Sequence, residues 1–136
     1  MNVVLDTSVL VKLYHKEVDT AIYVDFFKNN NVDEIYRSAI TKIEFESTVW
    51  KKYRTKEISQ EQALKTIAVF NKDNSTYIFL SITNNIIKQA KKLFTTYDPQ
   101  GLRSLDSIQL ATCIKHKNEA NLFLTANALL NTFLIA

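Results

Sequence analysis

Four polar residues stand at predicted junctions between secondary-structure elements, and they are Asp6, Glu44, Asp106 and Asn127. Asp6 follows the apolar run Val3-Val4-Leu5, which is typical of a buried strand. In a parallel sheet the carboxyl ends of the strands lie at one edge, where ligands bind, so these distant residues can converge. Oxygen donors of this kind suit Mg²⁺, which keeps waters and a substrate phosphate in its remaining positions. The pattern therefore indicates an oxygen-lined, cation-binding site.

Each junction residue also has a purely structural interpretation. Asp6, or one of the two hydroxyl residues after it, can cap the next helix. Thr41 and Glu44 have the spacing of a capping box, in which Glu44 folds back onto the cap amide. Asp106 can complement the positive end of a helix macrodipole, and Asn127 can be an ordinary cap. The residues alone leave both interpretations open.

The elements that must position these residues alternate between strand and helix. Strands are predicted over 3–5, 34–38, 76–80 and 121–125. Helices are predicted over 9–14, 21–27, about 41–56, 60–70, 84–97 and 104–117, with a short one after residue 126. Ser59 and Gln62 have capping-box spacing at the start of the fourth helix. Strands alternating with helices predict a mostly parallel sheet covered by helices on both faces.

Composition predicts the class of protein and its compartment. A chain of 136 residues, 46% hydrophobic and 23% charged, fits one globular domain over 1–136. A formal charge of +3 is compatible with a polyanionic partner. The single cysteine, Cys113, favours a reducing compartment, and we expect the cytoplasm. Neither a secretory signal nor an apolar run of about 20 residues is present, so we expect no membrane insertion.

Several other chemistries do not match the sequence. His15 and His116 have no serine or cysteine in a recognisable nucleophile motif nearby. No glycine-rich loop is available to hold a nucleotide phosphate. A haloacid-dehalogenase-like phosphatase would need a second acid two residues after Asp6, where this chain has Ser8. These observations leave the junction carboxylates as the strongest candidate site.

The order of these residues resembles a known family, the PIN-domain ribonucleases, and especially the VapC toxins of type II toxin–antitoxin systems. Four segments carry the resemblance, and they are 3–10, 38–46, 102–112 and 123–127. The third segment, Leu102-Arg103-Ser104-Leu105-Asp106-Ser107-Ile108-Gln109-Leu110-Ala111-Thr112, is the most specific of the four. The resemblance implies a PIN-like three-layer α/β/α sandwich with a mostly parallel central sheet of about four or five short strands.

The resemblance also implies a metal-dependent endoribonuclease. Its catalytic residues would be Asp6, Glu44 and Asp106. These three with Asn127 would hold one or two Mg²⁺ or Mn²⁺ ions, and Thr7, Ser8 and Thr125 would support the acids or contact the substrate. The implied partners are an RNA substrate, a cognate VapB-like antitoxin whose tail covers the acidic site, and a second copy of the chain in a homodimer.

Two departures from the family pattern shape the alternatives. Asn127 offers a neutral oxygen where a carboxylate is commoner, and the sequence stops soon after it, with 133–136 expected to supply part of a further strand. These features motivate a catalytically impaired PIN domain that serves as an RNA- or protein-binding module. A non-toxin PIN nuclease of RNA processing or DNA repair is a further alternative.

Overall fold

Four strands form one sheet in the computed structural model, which describes residues 1–97, 101–120, 122–127 and 130. The strands are β1 (Asn2–Leu5), β2 (Glu34–Ser38), β3 (Ile78–Leu80) and β4 (Leu122–Leu124). They lie in the order β3-β2-β1-β4, and every neighbouring pair is parallel. β1 is thus an inner strand, with Val3 opposite Ile35 of β2 on one side and Leu122 of β4 on the other. The carboxyl ends of all four strands meet at one edge.

Six helices are described along the chain. They are α1 (Thr7–Tyr14), α2 (Thr20–Asn29), α3 (Thr41–Arg54), α4 (Gln60–Asp73), α5 (Asn84–Tyr97) and α6 (Ser104–Lys115). The predicted capping box is present at the start of α4, where the Ser59 hydroxyl accepts from the Gln62 amide and the Gln62 side chain accepts from the Ser59 amide. The predictions for 98–100, 121, 128–129 and 133–136 fall outside the described residues.

One predicted strand starts later than expected. A 3-10 turn over Asn74–Thr76 continues from α4, so β3 begins at Ile78 instead of residue 76. The Thr76 hydroxyl donates to the Asp73 carbonyl at 2.7 Å, which satisfies a helix-end acceptor and holds the turn. The β-branched and aromatic composition of 76–80 therefore did not mark the strand's first residue.

The helices cover both faces of the sheet, because successive residues of β1 point to opposite sides. Val3 and Leu5 pack into a core with residues of α1, α3 and α4, where the Phe45 and Phe70 rings stack with centroids 3.9 Å apart. Val4 packs on the other face with residues of α6 such as Leu110. These observations confirm the predicted three-layer α/β/α sandwich and its parallel sheet.

Among the described helices, none is both long enough and apolar enough to cross a membrane.

Candidate active site

Asp6 lies between the last residue of β1 and the first residue of α1. Its backbone N–H donates to the Leu124 carbonyl at 2.9 Å, which fixes it beside the end of β4. Although Asp6 occupies the N-cap position of α1, its side chain makes no capping bond. Its Oδ2 instead accepts from the Ser8 hydroxyl at 2.7 Å and the Thr125 hydroxyl at 2.8 Å. The capping interpretation is therefore wrong for this carboxylate, which is only 4% exposed.

The two hydroxyls that serve Asp6 are themselves fixed by the backbone after β4. Ser8 Oγ accepts from the Ala126 amide, and Thr125 Oγ1 accepts from the Asn127 amide, both at 3.0 Å. Each hydroxyl thus accepts a hydrogen bond from a backbone amide and donates its own proton to Asp6. The loop after β4 and the start of α1 are joined through one carboxylate oxygen.

Glu44 projects from the first turn of α3 towards the sheet edge. The α3 N-cap position is Ile40, which has no side-chain cap, and Glu44 makes no capping box. Its Oε1 accepts from the Thr7 hydroxyl at 3.1 Å and from Gln109 Nε2 at 2.7 Å. The Thr7 and Thr41 hydroxyls are 3.0 Å apart, and Thr41 is fully buried. Glu44 is therefore held by side chains of α1 and α6.

Gln109 is a site residue that the sequence analysis did not assign. Its side chain is 1% exposed, and its Nε2 lies 3.2 Å from Thr7 Oγ1 and 3.1 Å from Thr41 Oγ1, besides its bond to Glu44. It follows Asp106 by three positions on α6, so both residues lie on the same helix face. That spacing was the available signal, since a buried amide next to an acid in a helix needs a polar partner elsewhere.

Asp106 is the third residue of α6, and its side chain is 14% exposed. The N-cap position of α6 is Arg103, not Ser104, and it has no side-chain cap. Asp106 Oδ2 lies 3.5 Å from Arg103 Nε, and none of the described residues gives this buried oxygen a hydrogen bond. A buried carboxylate oxygen without a donor is costly, so this oxygen is available to a ligand.

The three carboxylates line one cavity of about 520 Å³. Burial raises the pKa of Asp6, with a further increase from Asp106, although the Ser8 and Thr125 hydroxyls lower it. Burial likewise raises the pKa of Glu44, and the negative charges of Asp6 and Asp106 add to that increase. The charges therefore repel one another across a shared space, which is the electrostatic arrangement that a cation relieves.

Asn127 lines the same cavity and lies in the segment after β4. Its Oδ1 accepts from the Leu130 amide at 3.4 Å, which is a long hydrogen bond. Its own backbone N–H donates to Thr125 Oγ1. Asn127 thus belongs to the cavity, as predicted, whereas the helix that it was predicted to cap begins outside the described residues.

The donor set fits a hard divalent cation. Asp6, Glu44 and Asp106 supply carboxylate oxygens and Asn127 an amide oxygen, and Mg²⁺ and Mn²⁺ take oxygen ligands of these kinds. The unsatisfied Oδ2 of Asp106 is the position at which such an ion is most needed. Over the described residues, no group of three His, Cys, Asp or Glu side chains lies close enough together to hold a metal ion, so binding would require the three carboxylates to move closer to one another.

Three solved structures are similar to the chain along most of its length. VapC20 of Mycobacterium tuberculosis, described as a sarcin-ricin loop cleaving toxin, matches with a TM-score of 0.74 at 12% identity, covering 96% of this chain and 94% of that one. A toxin–antitoxin complex from Klebsiella pneumoniae matches with a TM-score of 0.63 at 21% identity, covering 92% and 86%. VapBC2 of Rickettsia felis, bound to a DNA fragment from its promoter, matches with a TM-score of 0.62 at 19% identity, covering 93% and 88%.

The comparison with curated proteins gave no match. The PIN domain family model, by contrast, matches residues 3–130. That range contains all four junction residues, and it contains the four strands except for Asn2, the first residue of β1. The family match and the shared fold together confirm the resemblance stated from the sequence, and the chain belongs to the PIN domain family.

Proposed function

We propose that this PIN domain is a metal-dependent endoribonuclease that hydrolyses RNA phosphodiester bonds, acts in the cytoplasm as the toxin of a VapBC-type toxin–antitoxin module, and occupies 1–136 as a single domain. One observation carries the catalytic part of the proposal. Asp6, Glu44 and Asp106 line one cavity in which a buried Asp106 oxygen has no hydrogen-bond donor among the described residues. The family match and the toxin structures of the same fold support the choice of substrate.

The chain's own residues would have two roles, since some would hold the metal ion and others would orient the acids. Asp6, Glu44 and Asp106, with Asn127 assisting, would hold Mg²⁺ or Mn²⁺. A bound ion of this kind lowers the pKa of a coordinated water and neutralises charge that develops on the phosphate. Ser8 and Thr125 keep Asp6 oriented, and Thr7 with Gln109 does the same for Glu44.

The partner proposal has a structural trace beside the acids. Ile43 is 69% exposed and Leu105 is 44% exposed, and both line a small groove that also includes Glu44. An exposed apolar surface next to charged catalytic residues is typical of a surface that a partner covers. Two of the similar structures contain toxin–antitoxin pairs, which supports an antitoxin as that partner. We extend the proposal to a homodimer, as the family resemblance implies.

RNA cleavage by purified protein tests the catalytic proposal. We expect end-labelled RNA to be cut with Mg²⁺ or Mn²⁺ and left intact with EDTA, and the Asp106→Asn variant to lose the activity while keeping its circular dichroism spectrum. Asp25→Asn is a matched control, because Asp25 is an exposed acid on α2 outside the acidic cavity. Full cleavage by Asp106→Asn would contradict the site assignment.

Asn127 favours a second candidate function, a catalytically impaired PIN domain that binds RNA or protein. Its neutral amide replaces a carboxylate, and its oxygen already accepts from Leu130. A cation titration monitored by thermal unfolding separates the two functions. A nuclease should gain several degrees in Tm with Mn²⁺ and cut RNA, whereas an inert module should show little gain and no cleavage.

A further inference from the structure

Two lysines and one glutamate form a compact ionic cluster on the wall of the acidic cavity. Lys12 lies on α1, Lys52 on α3, and Glu17 in the segment between α1 and α2. Lys12 Nζ lies 2.6 Å from Glu17 Oε2, and Lys52 Nζ lies 2.5 Å from Glu17 Oε1. All three line the cavity that also contains Asp6. Each lysine therefore holds one oxygen of the same carboxylate.

Both lysines are largely removed from solvent. The Lys12 side chain is 17% exposed and that of Lys52 is 11% exposed. Burial opposes the charge of each ammonium, but its acidic neighbours outweigh burial and raise the pKa of both lysines. Lys12 also contacts Asp19 at 2.8 Å, and Lys52 contacts Glu57 at 3.3 Å. The two ammonium groups are thus stabilised in the charged form and are each held by two carboxylates.

Glu17 and the lysines differ in how firmly the fold holds them. The lysines extend from helices packed against each other and against the sheet. Glu17 belongs to a short connection whose position depends on Thr20, the hydroxyl of which accepts from the Glu17 amide at 2.8 Å and donates to the Lys12 carbonyl at 3.0 Å. Rotation of the Glu17 side chain alone would release both ammonium groups, without movement of the helices that carry Lys12 and Lys52.

We propose that Lys12 and Lys52 form a subsite for a backbone phosphate of RNA next to the acids, and that the Glu17 carboxylate occupies this subsite in the free protein. The inference rests on the proposed function for its substrate class. A cavity lined by Asp6, Glu44 and Asp106 repels a polyanion, so a substrate phosphate there needs nearby cations. A phosphate, like a carboxylate, presents two anionic oxygens that two ammonium groups can share.

The alternative role of the cluster is to fasten the connection between α1 and α2 to α3. The two roles predict opposite results for Glu17→Gln. If the role is structural, Glu17 contributes to the stability of the fold, and the loss of its charge leaves RNA affinity unchanged. As an occupant of the subsite, Glu17 competes with RNA, and its loss increases RNA affinity even where stability falls.

The salt dependence of RNA binding tests the proposal. The probe is a fluorescent single-stranded RNA bound to protein carrying Asp106→Asn, which prevents cleavage. We expect Lys12→Met and Lys52→Met each to reduce the slope of log affinity against log salt by about 0.7, the value for one lost phosphate contact on a single strand. Lys52→Arg should keep the slope, and Glu17→Gln should bind RNA several-fold more tightly.

Lys16→Met is the matched control, because Lys16 is an exposed neighbour that does not line the acidic cavity. Equal slopes for Lys12→Met, Lys52→Met and Lys16→Met would overturn the subsite, as would unchanged affinity in Glu17→Gln. In either case RNA binding and wild-type cleavage would leave the proposed function standing. Absence of RNA binding in every variant, together with no cleavage by the wild type, would overturn both.

Discussion

Asp6, just after β1, and Arg37, in the neighbouring strand β2, are both buried charges, yet the fold accommodates them in different ways. Asp6 is 4% exposed, accepts two hydroxyl hydrogen bonds and faces a cavity. Arg37, near the end of β2, is fully buried, and no described residue accepts a hydrogen bond from its three guanidinium nitrogens. Asp6 has hydrogen-bond donors and faces a cavity, whereas Arg37 has no hydrogen-bond acceptor among the described residues and is fully buried.

Aromatic rings surround Arg37 in place of acceptors. The guanidinium carbon lies 3.4 Å from the Tyr77 ring centroid, 5.6 Å from that of Phe79 and 5.9 Å from that of Phe70. Burial lowers the pKa of Arg37 to about 10, while the neighbouring Tyr77 and Tyr14 act in the opposite direction. Cation–π attraction of this kind offsets only part of the desolvation of a buried charge.

Asp6 is the kind of buried charge that the proposed chemistry requires, whereas Arg37 is enclosed in the core. A charge kept for a ligand needs donors that fix it and an opening through which the ligand arrives, as Asp6 has. A charge enclosed by rings has no route to a substrate. We therefore expect substitutions at the first site to change activity and substitutions at the second to change stability.

Asp6→Asn should have the largest effect. Loss of the carboxylate removes the proposed cation ligand, and a bound cation stabilises such a transition state by several kcal/mol, so we expect cleavage to fall by about 100-fold or more. Rates measured at saturating Mn²⁺ check this expectation. Activity within a factor of three of the wild type would show that the buried carboxylate at the end of β1 is not catalytic.

Gln109→Met should come next. The substitution removes the donor that orients Glu44 while keeping an unbranched buried side chain. Removal of a hydrogen bond that orients a metal ligand typically costs 10- to 100-fold, and we expect cleavage to fall by about that factor. Higher Mn²⁺ concentration should restore part of the activity if orientation of Glu44 is what was lost, and no restoration would point to general disruption of the core.

Tyr77→Leu tests the aromatic environment of Arg37. It removes the ring face under the guanidinium, so the free energy of unfolding should fall by about 2 kcal/mol more than in Tyr77→Phe. Tyr77→Phe keeps the ring and loses only the hydroxyl contact with Tyr14. Urea denaturation measures both, and equal losses would show that the hydroxyl, not the ring, stabilises this region.

Arg37→Met should leave cleavage unchanged and raise the free energy of unfolding by about 1 kcal/mol. An apolar side chain of similar length avoids the desolvation of a charge that lacks hydrogen-bond acceptors. Urea denaturation with a parallel cleavage assay checks both halves. A large loss of stability would indicate that buried water satisfies the guanidinium.

The smallest effect concerns pH in the absence of metal. The pKa values of Asp6 and Glu44 are raised above their ordinary 3.8 and 4.5, so the folded state binds these protons more tightly than the unfolded state. Their contribution to stability is complete below pH 3.8 and is lost as pH rises through the raised pKa values. The double variant Asp6→Asn/Glu44→Gln should lose this pH dependence in urea denaturation with EDTA, and an unchanged profile would contradict it.

The strands and the acids at their ends could be predicted from the sequence because both are local patterns. An apolar run before Asp6 and a helix opened by Asp106 need no knowledge of distant residues. Gln109 could not be assigned, since its function depends on Thr7 and Glu44, which lie 102 and 65 positions away. Its partners become visible only when α1, α3 and α6 pack together.

Charged residues were the hardest to place from sequence. Arg37 lies near the end of β2, and arginine side chains are mostly exposed in folded proteins, yet this residue is fully buried. Lys52 belongs to a basic run over 51–56, a pattern that is typical of a solvated helix face, whereas its side chain lines the acidic cavity and its ammonium is paired with Glu17. Burial of a charge depends on neighbours that local periodicity does not report.

The position of β1 between β2 and β4 has a consequence for protein synthesis. β1 is synthesised before both of the strands that pair with it, and Asp6 receives its Thr125 donor only after the segment beyond β4 has been made. A nascent chain that has not reached Thr125 therefore carries the first acid without this supporting hydroxyl. The hydrogen-bonded surroundings of Asp6 are thus completed late in synthesis, although the residue itself is made first.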